Sequence, residues 1–224
     1  MTVRSARRAR RAAVSGTPLR TPWHPAALAA ALLLPGLSAS AFQVGITPGV
    51  KSIFLQVGSG TMTGGNFSSG GTPGNNAVVN NVSVTVPATS LGAGTQIMTT
   101  DSTVANSPWN DRSFCTVPAQ VYIGGFYRTP GTGANATLSA TSPASLVSGS
   151  DSLSFSTISW VSGGLGDATP TIPSGSFIAG TTQTLLSVTR NTWFESCLQF
   201  SYANAAAVPA GTFTGRVTYT LTSP

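Results

Sequence analysis

Apolar and hydroxyl-bearing residues alternate along most of this chain, and this period of two constrains its fold more than any other feature. Segment 82–86 reads Val-Ser-Val-Thr-Val, and segment 217–221 reads Val-Thr-Tyr-Thr-Leu. Successive side chains of a β-strand point to opposite faces, so such segments are typical of strands with one buried face. No segment repeats its apolar residues with a helical period. The sequence therefore predicts an all-β fold.

About ten short strands are expected, because clusters of Gly, Pro and Asn separate the alternating segments. They are predicted at 52–57, 82–86, 96–100, 115–127, 136–140, 153–161, 176–179, 182–189, 192–202 and 212–221. A set of this kind predicts an antiparallel β-sandwich of two sheets. The pair Gly124-Gly125 predicts a bulge. The change of apolar parity between Phe155 and Ile158 predicts a second bulge or a strand that changes sheets.

The N-terminal segment 1–41 has the organisation of a cleaved signal peptide. An arginine-rich region precedes an apolar run from Ala26 to Leu37, and Ala39-Ser40-Ala41 resembles a cleavage site before Phe42. The apolar run is shorter than the roughly twenty residues that a membrane-spanning helix needs. We therefore expect no stable membrane span after cleavage, and a secreted or cell-surface protein that passes through the periplasm.

Removal of this segment leaves 42–224, which is long enough for one domain with a sizeable core. Within it, 58–76 is rich in glycine and nearly free of apolar residues, which predicts a long flexible loop or, alternatively, a binding loop. Of the 11 basic residues, six are arginines in the first twenty positions. The remaining five balance the five acidic residues, so we expect no nucleic-acid partner.

Cys115 and Cys197 are the only cysteines, and an even number in an exported chain predicts a disulfide. Two buried free thiols are the alternative. The spacing does not fit the Cys-x-x-Cys pattern of redox-active pairs, so a structural bond is expected.

The residues offer little for catalysis. The single histidine, His24, lies in the predicted signal peptide, and no Gly-x-Ser-x-Gly motif is present. The five acidic residues Asp101, Asp111, Asp151, Asp167 and Glu195 could form the carboxylate pair of a glycosidase, but none stands in a recognisable motif. We expect a protein that is not an enzyme and that binds no metal or other cofactor.

Trp109 is the best candidate for stacking against a sugar, because it lies in the turn-like segment Ser107-Pro108-Trp109-Asn110-Asp111. The alternative is that its ring packs over the end of a sheet. A glycan is therefore a possible ligand.

The C-terminal segment 209–221 reads Pro-Ala-Gly-Thr-Phe-Thr-Gly-Arg-Val-Thr-Tyr-Thr-Leu. It resembles the closing strand of secreted subunits of the spore coat protein U and chaperone–usher pilin type, which end in a Pro-x-Gly-aromatic turn and an alternating strand. The resemblance covers little more than a dozen residues. It implies an immunoglobulin-like subunit that assembles outside the inner membrane into a fibre or coat by strand exchange. Many pilins place their first cysteine earlier in the domain than Cys115.

Two functions of different class follow. One is an exported structural subunit of a bacterial surface fibre, pilus or coat, whose partners are its own copies or related subunits and a periplasmic chaperone. The other is a secreted lectin-like adhesin that uses Trp109 and the glycine-rich loop. Phe42, Val44 and Ile46 alternate in the new N-terminus and are the candidate donor strand for exchange. The same alternation would also suit a strand that completes its own sheet.

Overall fold

The structure is a computed structural model that describes residues 43–60, 62–63, 72–73 and 79–224. The predicted signal peptide 1–41 and Phe42 lie outside the described residues. So does most of the predicted loop 58–76, in which Met62–Thr63 pairs with Thr72–Pro73.

Nearly all regular structure in the described residues is β-strand. The strands are β1 Gln43–Gly45, β2 Ser52–Val57, β3 Met62–Thr63, β4 Thr72–Pro73, β5 Val82–Ser83, β6 Gln96–Ile97, β7 Thr99–Thr100, β8 Val121–Arg128, β9 Ala136–Thr141, β10 Ser145–Ser148, β11 Asp151–Ser154, β12 Ile158–Gly163, β13 Gly175–Ser176, β14 Thr182–Val188, β15 Thr192–Tyr202 and β16 Thr218–Thr222. Two short 3₁₀ turns are found at Ala88–Ser90 and Phe155–Thr157.

The larger sheet has seven strands among the described residues and is built around β15. Its main path runs β13-β12-β15-β8-β2, and β1 and β6 also pair with β15. All of these pairings are antiparallel. Strand β12 pairs with the C-terminal half of β15, and β1 continues the same edge along its N-terminal end. The N-terminal segment therefore lies beside the strand that carries Cys197.

A three-stranded antiparallel sheet, ordered β14-β9-β16, packs against the larger one. The core between them takes Ala136, Leu138 and Ala140 from β9, together with apolar side chains of β8, β12 and β15. The outward residues of β9 alternate with these three, as half-buried strands require. The predicted all-β, antiparallel sandwich class is confirmed.

Several local predictions were wrong. The strand expected at 82–86 covers only Val82–Ser83, the one expected at 176–179 is Gly175–Ser176, and the one expected at 212–221 begins only at Thr218. The strand expected at 115–127 begins only at Val121, because the backbone amides of Ala119 and Gln120 donate to the carbonyl of Thr116 and close a turn. The expected bulge at Gly124-Gly125 is absent, since both glycines keep continuous register with β2 and β15. Gly124 leaves space for the Tyr122 side chain, and Gly125 lets the backbone of Phe54 approach closely.

The parity change after Leu153 is a strand that changes sheets, which is one of the two predicted outcomes. Strand β11 pairs with β10 in a separate hairpin, the 3₁₀ turn Phe155–Thr157 follows, and β12 joins the seven-stranded sheet. The turn buries Phe155 in the core.

Candidate functional site

A second apolar cluster lies on the face of the seven-stranded sheet that points away from the three-stranded sheet. We call it the outer cluster. Its buried members are Ile46, Phe54, Phe114, Cys115, Tyr122, Phe126, Trp193 and Cys197, and Val44, Val104 and Trp109 pack at its margin. Segment 101–120, which supplies Val104, Trp109, Phe114 and Cys115, is named the cap. Three features singled out in the sequence therefore meet in one place: the cysteine pair, Trp109 and the N-terminal segment.

The cap explains why β8 and β15 are apolar on both faces. On β15, Trp193 and Cys197 belong to the outer cluster, whereas Phe194 and Leu198 belong to the core between the sheets. Each strand is buried on both sides, as in sheets covered by other elements. Glu195 lies on the same face as Trp193 and Cys197, opposite Phe194 and Leu198, and that face is covered.

The predicted disulfide between Cys115 and Cys197 is present, with 5.4 Å between the two Cα atoms and 82 residues of separation. It ties the cap to the middle of β15. Both cysteines are buried, so the bond is a structural part of the outer cluster.

Trp109 is half-buried and stacks on Trp193, with ring centroids 6.1 Å apart and planes inclined by 28°. Trp193 in turn stacks on Phe54 at 5.9 Å and lies beside Phe126 at 6.2 Å. Aromatic pairs at such separations stabilise a fold beyond their area burial, typically by about 0.5–1.5 kcal/mol. One face of the Trp109 ring is therefore occupied by the protein's own side chain.

The N-terminal segment docks at the margin of this cluster. Val44 pairs with Trp193 in the β1–β15 ladder, and the backbone amide of Ile46 donates to the carbonyl of Asn191 at 2.8 Å. Ile46 is buried and Val44 is half-buried. Of the candidate donor residues, the structure thus places Val44 and Ile46 against their own subunit, whereas Phe42 is outside the described residues.

Glu195 is a fully buried carboxylate beneath the cap. Its Oε2 accepts hydrogen bonds from the Tyr122 hydroxyl at 2.9 Å and the Trp193 indole Nε1 at 3.1 Å. Its Oε1 is buried and accepts no hydrogen bond of good geometry from the described residues. Burial raises the pKa of Glu195 and is the largest effect. Hydrogen bonds from Ser107, Tyr122 and Trp193 each lower it by less, and the charge of Asp167 adds a still smaller rise.

Gly124 makes this arrangement possible. It pairs directly with Glu195 in the β8–β15 ladder, and a Cβ atom at this position would lie 2.1 Å from the Tyr122 hydroxyl oxygen. The Tyr122 side chain therefore crosses the space above Gly124 to reach Glu195. The pKa of Tyr122 is raised well above its ordinary value by burial and by Glu195. The phenol therefore stays protonated, and its hydroxyl donates a hydrogen bond to Glu195.

Sequence reasoning missed the Tyr122–Glu195 pair. The available signal was a single carboxylate in β15, an eleven-residue strand whose two faces are both apolar. Such a strand is covered on both sides, and a buried carboxylate requires hydrogen-bond donors or protonation.

Asp101 and Asp111 belong to the cap and are exposed. Asp101 is exposed and accepts hydrogen bonds from Asn80 and from the side chain and backbone of Asn81, which lower its pKa. Asp111 accepts a hydrogen bond from Asn106 at 3.0 Å. Within the described residues, no group of three or more His, Cys, Asp or Glu side chains could hold a metal ion.

Comparison with known proteins gives no relative: no family model, curated protein or solved structure matches the chain. None of the helical segments described is long and apolar enough to cross a membrane.

Proposed function

We propose that this protein is an exported structural subunit of a bacterial surface fibre, pilus or coat, in which each subunit lends strand β1 to the next. The observation that carries the proposal is the way β1 is held. It is a three-residue strand at a sheet edge. Val44 of this strand and Ile46, which follows it directly, pack in the outer cluster.

Few contacts hold β1 in place. Its ladder comprises three residue pairs, from Gln43–Phe194 to Gly45–Thr192. Burial of a side chain such as Ile46 contributes about 1.5–3 kcal/mol. The same contacts are offered by the corresponding site of any other copy, so exchange between copies keeps them all. A head-to-tail exchange that does not close into a ring produces an open fibre.

The segment after β1 is suited to a change of direction. Residues 47–51 form no strand and contain Pro48-Gly49, and Val50 is 82% exposed. Five residues can span about 17 Å when they are extended, which is enough to carry β1 away from its own sheet. The chain therefore has an exchangeable strand, a linker and a receiving site.

The remaining features agree with an extracellular structural role. A buried disulfide supports a fold that works in an oxidising compartment. The C-terminal segment 209–221 carries the resemblance to coat and pilin subunits, and its last four residues lie in β16, which forms an edge of the three-stranded sheet.

The decisive experiment is a paired-cysteine trap. Gly45 and Thr192 are direct ladder partners, and a Cβ at Gly45 would meet nothing within 4 Å. The exported Gly45→Cys, Thr192→Cys variant is oxidised at low and at high concentration and analysed on a non-reducing gel. Strand exchange predicts covalent ladders at high concentration, and closure within a subunit predicts a monomeric band throughout.

The matched control is Thr141→Cys, Thr182→Cys. These residues pair between β9 and β14, with their hydroxyl oxygens 2.7 Å apart, in a sheet that does not contain β1. Its disulfide should stay within one chain at every concentration. Monomeric bands from both variants, together with monomeric wild-type protein at high concentration, would overturn the proposal. Retention of such a monomer on a glycan column would favour the lectin-like alternative instead.

A further inference from the structure

The Glu195 carboxylate is joined to β8, β1 and the cap through two aromatic side chains. Tyr122 of β8 donates to its Oε2 at 2.9 Å, and the indole Nε1 of Trp193 donates to the same oxygen at 3.1 Å. Trp193 also pairs with Val44 of β1 and stacks on Trp109 of the cap. A change at the carboxylate therefore reaches both segments that cover this face of the sheet.

The hydrogen bonds of this carboxylate fall on one of its two oxygens. Glu195 is fully buried, and its Oε1 accepts no hydrogen bond of good geometry from the described residues. An ionised carboxylate accepts at both oxygens, whereas a protonated one carries a hydrogen of its own on one of them. A buried charge that lacks partners is strongly unfavourable. The closed arrangement therefore suits the protonated acid.

No cationic side chain among the described residues forms a hydrogen bond or ion pair with Glu195. Strands β1, β2 and β12 contain no ionisable side chain. Arg128 lies on the face of β8 that carries Tyr122, but it is four residues beyond Gly124, the ladder partner of Glu195, or roughly 13 Å along the strand. The remaining ionisable groups on this side are Tyr122 of β8, Asp167 of the loop that follows β12, and the exposed Asp101, Asp111 and Arg112 of the cap.

The cover over Glu195 can open without unfolding the sheets. Residues 105–114, named the cap tip, bond mainly to one another: the backbone amides of Ser107 and Phe114 donate to the carbonyls of Arg112 and Ala105. The cap tip contacts the sheet through Trp109, and β1 is held by three residue pairs. Segments with so few bonds to their surroundings open at a lower free energy than the whole domain. The cap tip and β1 are thus the elements that can move.

From this geometry we propose that Glu195 is a proton-dependent latch, which holds β1 and the cap tip in place when it is protonated and loosens both when it is ionised. As pH rises, the carboxylic O–H bond breaks, its proton passes to water, and the charge left on the buried oxygens favours the open, hydrated arrangement. The proposal rests on the proposed strand exchange for its consequence, because the loosened strand is the one that a subunit lends to the next.

The direction of the pH effect follows from burial. Burial raises the pKa of Glu195 in the closed arrangement, and in the open one the group returns toward its ordinary value of 4.5. The latch is therefore fully closed below pH 4.5 and loosens as pH rises through the raised pKa. Between these two values the opening equilibrium should increase about tenfold for each pH unit, and above them it should level off.

The test measures the protection of a thiol beside β1. Ile46→Cys places it at a buried position, and Gly45→Cys places it at an exposed one where a Cβ meets nothing within 4 Å. Each exported variant reacts with 4,4′-dithiodipyridine at low protein concentration, so that the measurement requires no exchange between copies. The ratio of the two rates gives the protection of β1 at each pH. We expect it to fall at least tenfold above pH 4.5, and to stay constant when Glu195→Gln is added.

Hydrogen exchange of the Trp193 indole Nε1–H, compared at each pH between wild type and Glu195→Gln, reports the opening of the cover in the same way. Asp167→Asn removes a nearby charge and keeps the Oδ1 acceptor for the Thr169 amide, so it should reduce the fall in protection. Asp101→Asn is the matched control. Its carboxylate is exposed and has a lowered pKa, so the wild-type profile should be kept above pH 4.5.

The same pH profile of protection in wild type and Glu195→Gln would overturn the latch, even where the paired-cysteine trap gives covalent ladders. A fall in protection that Glu195→Gln abolishes supports the latch even where no ladders form, and strand exchange alone then fails. If Glu195→Gln does not fold, the Asp167→Asn comparison decides, and a profile identical to that of wild type overturns the proposal.

Discussion

The outer faces of the two sheets are built on the same period-two alternation, but one face is covered by another segment and the other is exposed to solvent. In the seven-stranded sheet, the cap covers a stretch of β8 and β15 whose outward side chains are aromatic residues, a cysteine and a carboxylate. In the three-stranded sheet, the outward side chains at the paired positions of β9, β14 and β16 are all Thr or Ser, and eight of nine are exposed. The hydroxyl face is the set of these nine residues: Thr137, Ser139, Thr141, Thr182, Thr184, Ser187, Thr218, Thr220 and Thr222.

The comparison shows that strand formation and burial are separate properties of this sequence. Alternation predicts that a segment is a strand, but the residues at the second parity decide whether another layer can pack there. A strand with apolar side chains on both faces is stable when another layer packs on each face. Hydroxyls at the second parity are satisfied by water and leave the face bare. Substitutions in the two faces should therefore differ in their cost.

The largest difference should come from the disulfide. The Cys115→Ala, Cys197→Ala variant releases the cap from β15, and loss of such a bond typically lowers the free energy of unfolding by about 2–5 kcal/mol. Thr141→Ala, Thr182→Ala removes a hydrogen-bonded pair from the hydroxyl face and should cost less than about 1 kcal/mol. Urea denaturation measures both. Equal losses would contradict the contrast between the faces.

Gly124→Ala should have the next largest effect. The added methyl group occupies the space of the Tyr122 hydroxyl, and such overpacking costs about 1–3 kcal/mol. Gly131→Ala is the matched control, since a Cβ there meets nothing within 4 Å. Tyr122→Phe removes the same hydrogen bond to Glu195 without a clash. Because both changes act on one interaction, the double variant should lose less free energy than the sum of the single variants.

The buried carboxylate predicts a pH dependence that the hydroxyl face lacks. The pKa of Glu195 is raised in the folded protein, so the folded state holds this proton more tightly than the unfolded state. The contribution of Glu195 to stability is complete below its ordinary value of 4.5 and is lost as pH rises from there through the raised pKa. Glu195→Gln keeps an acceptor for Tyr122 and Trp193 and removes the titration.

Unfolding free energies of wild type and Glu195→Gln should therefore diverge as pH rises above 4.5, with wild type losing more stability. Asp101→Asn is a control for which the opposite dependence of stability on pH is expected. The pKa of Asp101 is lowered, so its stabilising effect is present above its ordinary value of 3.8 and is lost as pH falls through the lowered pKa. A parallel pH dependence of wild type and Glu195→Gln would show that Glu195 does not titrate in this range.

The smallest effect is expected for single substitutions within the hydroxyl face. Thr184→Ala and Thr220→Ala each expose a little more backbone and remove no core contact, so each should change the unfolding free energy by about 0.5 kcal/mol or less. Thermal denaturation suffices as the measurement. A loss above that of Tyr122→Phe would mean that the hydroxyl rows hold the sheet together, contrary to their role as a solvent-exposed surface.

Much of the fold was predictable because alternation and turn residues act locally. Segments 52–57 and 192–202 were predicted with the bounds that the structure shows, and the disulfide followed from two cysteines in a chain that was predicted to be exported. Segment 115–127 was misplaced at its start, because its first residues close a turn with their own backbone. The glycine pair was misread as a bulge, since a missing side chain serves a turn, a bulge or a close contact equally well.

The sequence by itself determined the strands, the cysteine pair and the hydroxyl character of one outer face, because each depends on residue type and short-range period. Only the tertiary structure decided which face would be covered and what would meet beneath the cover. Glu195, Tyr122 and Gly124 come together through strand register, and Trp109 reaches Trp193 through the path of the cap. The physical reason is that pairing register and layer packing depend on contacts between residues far apart in the chain, and no local pattern records them.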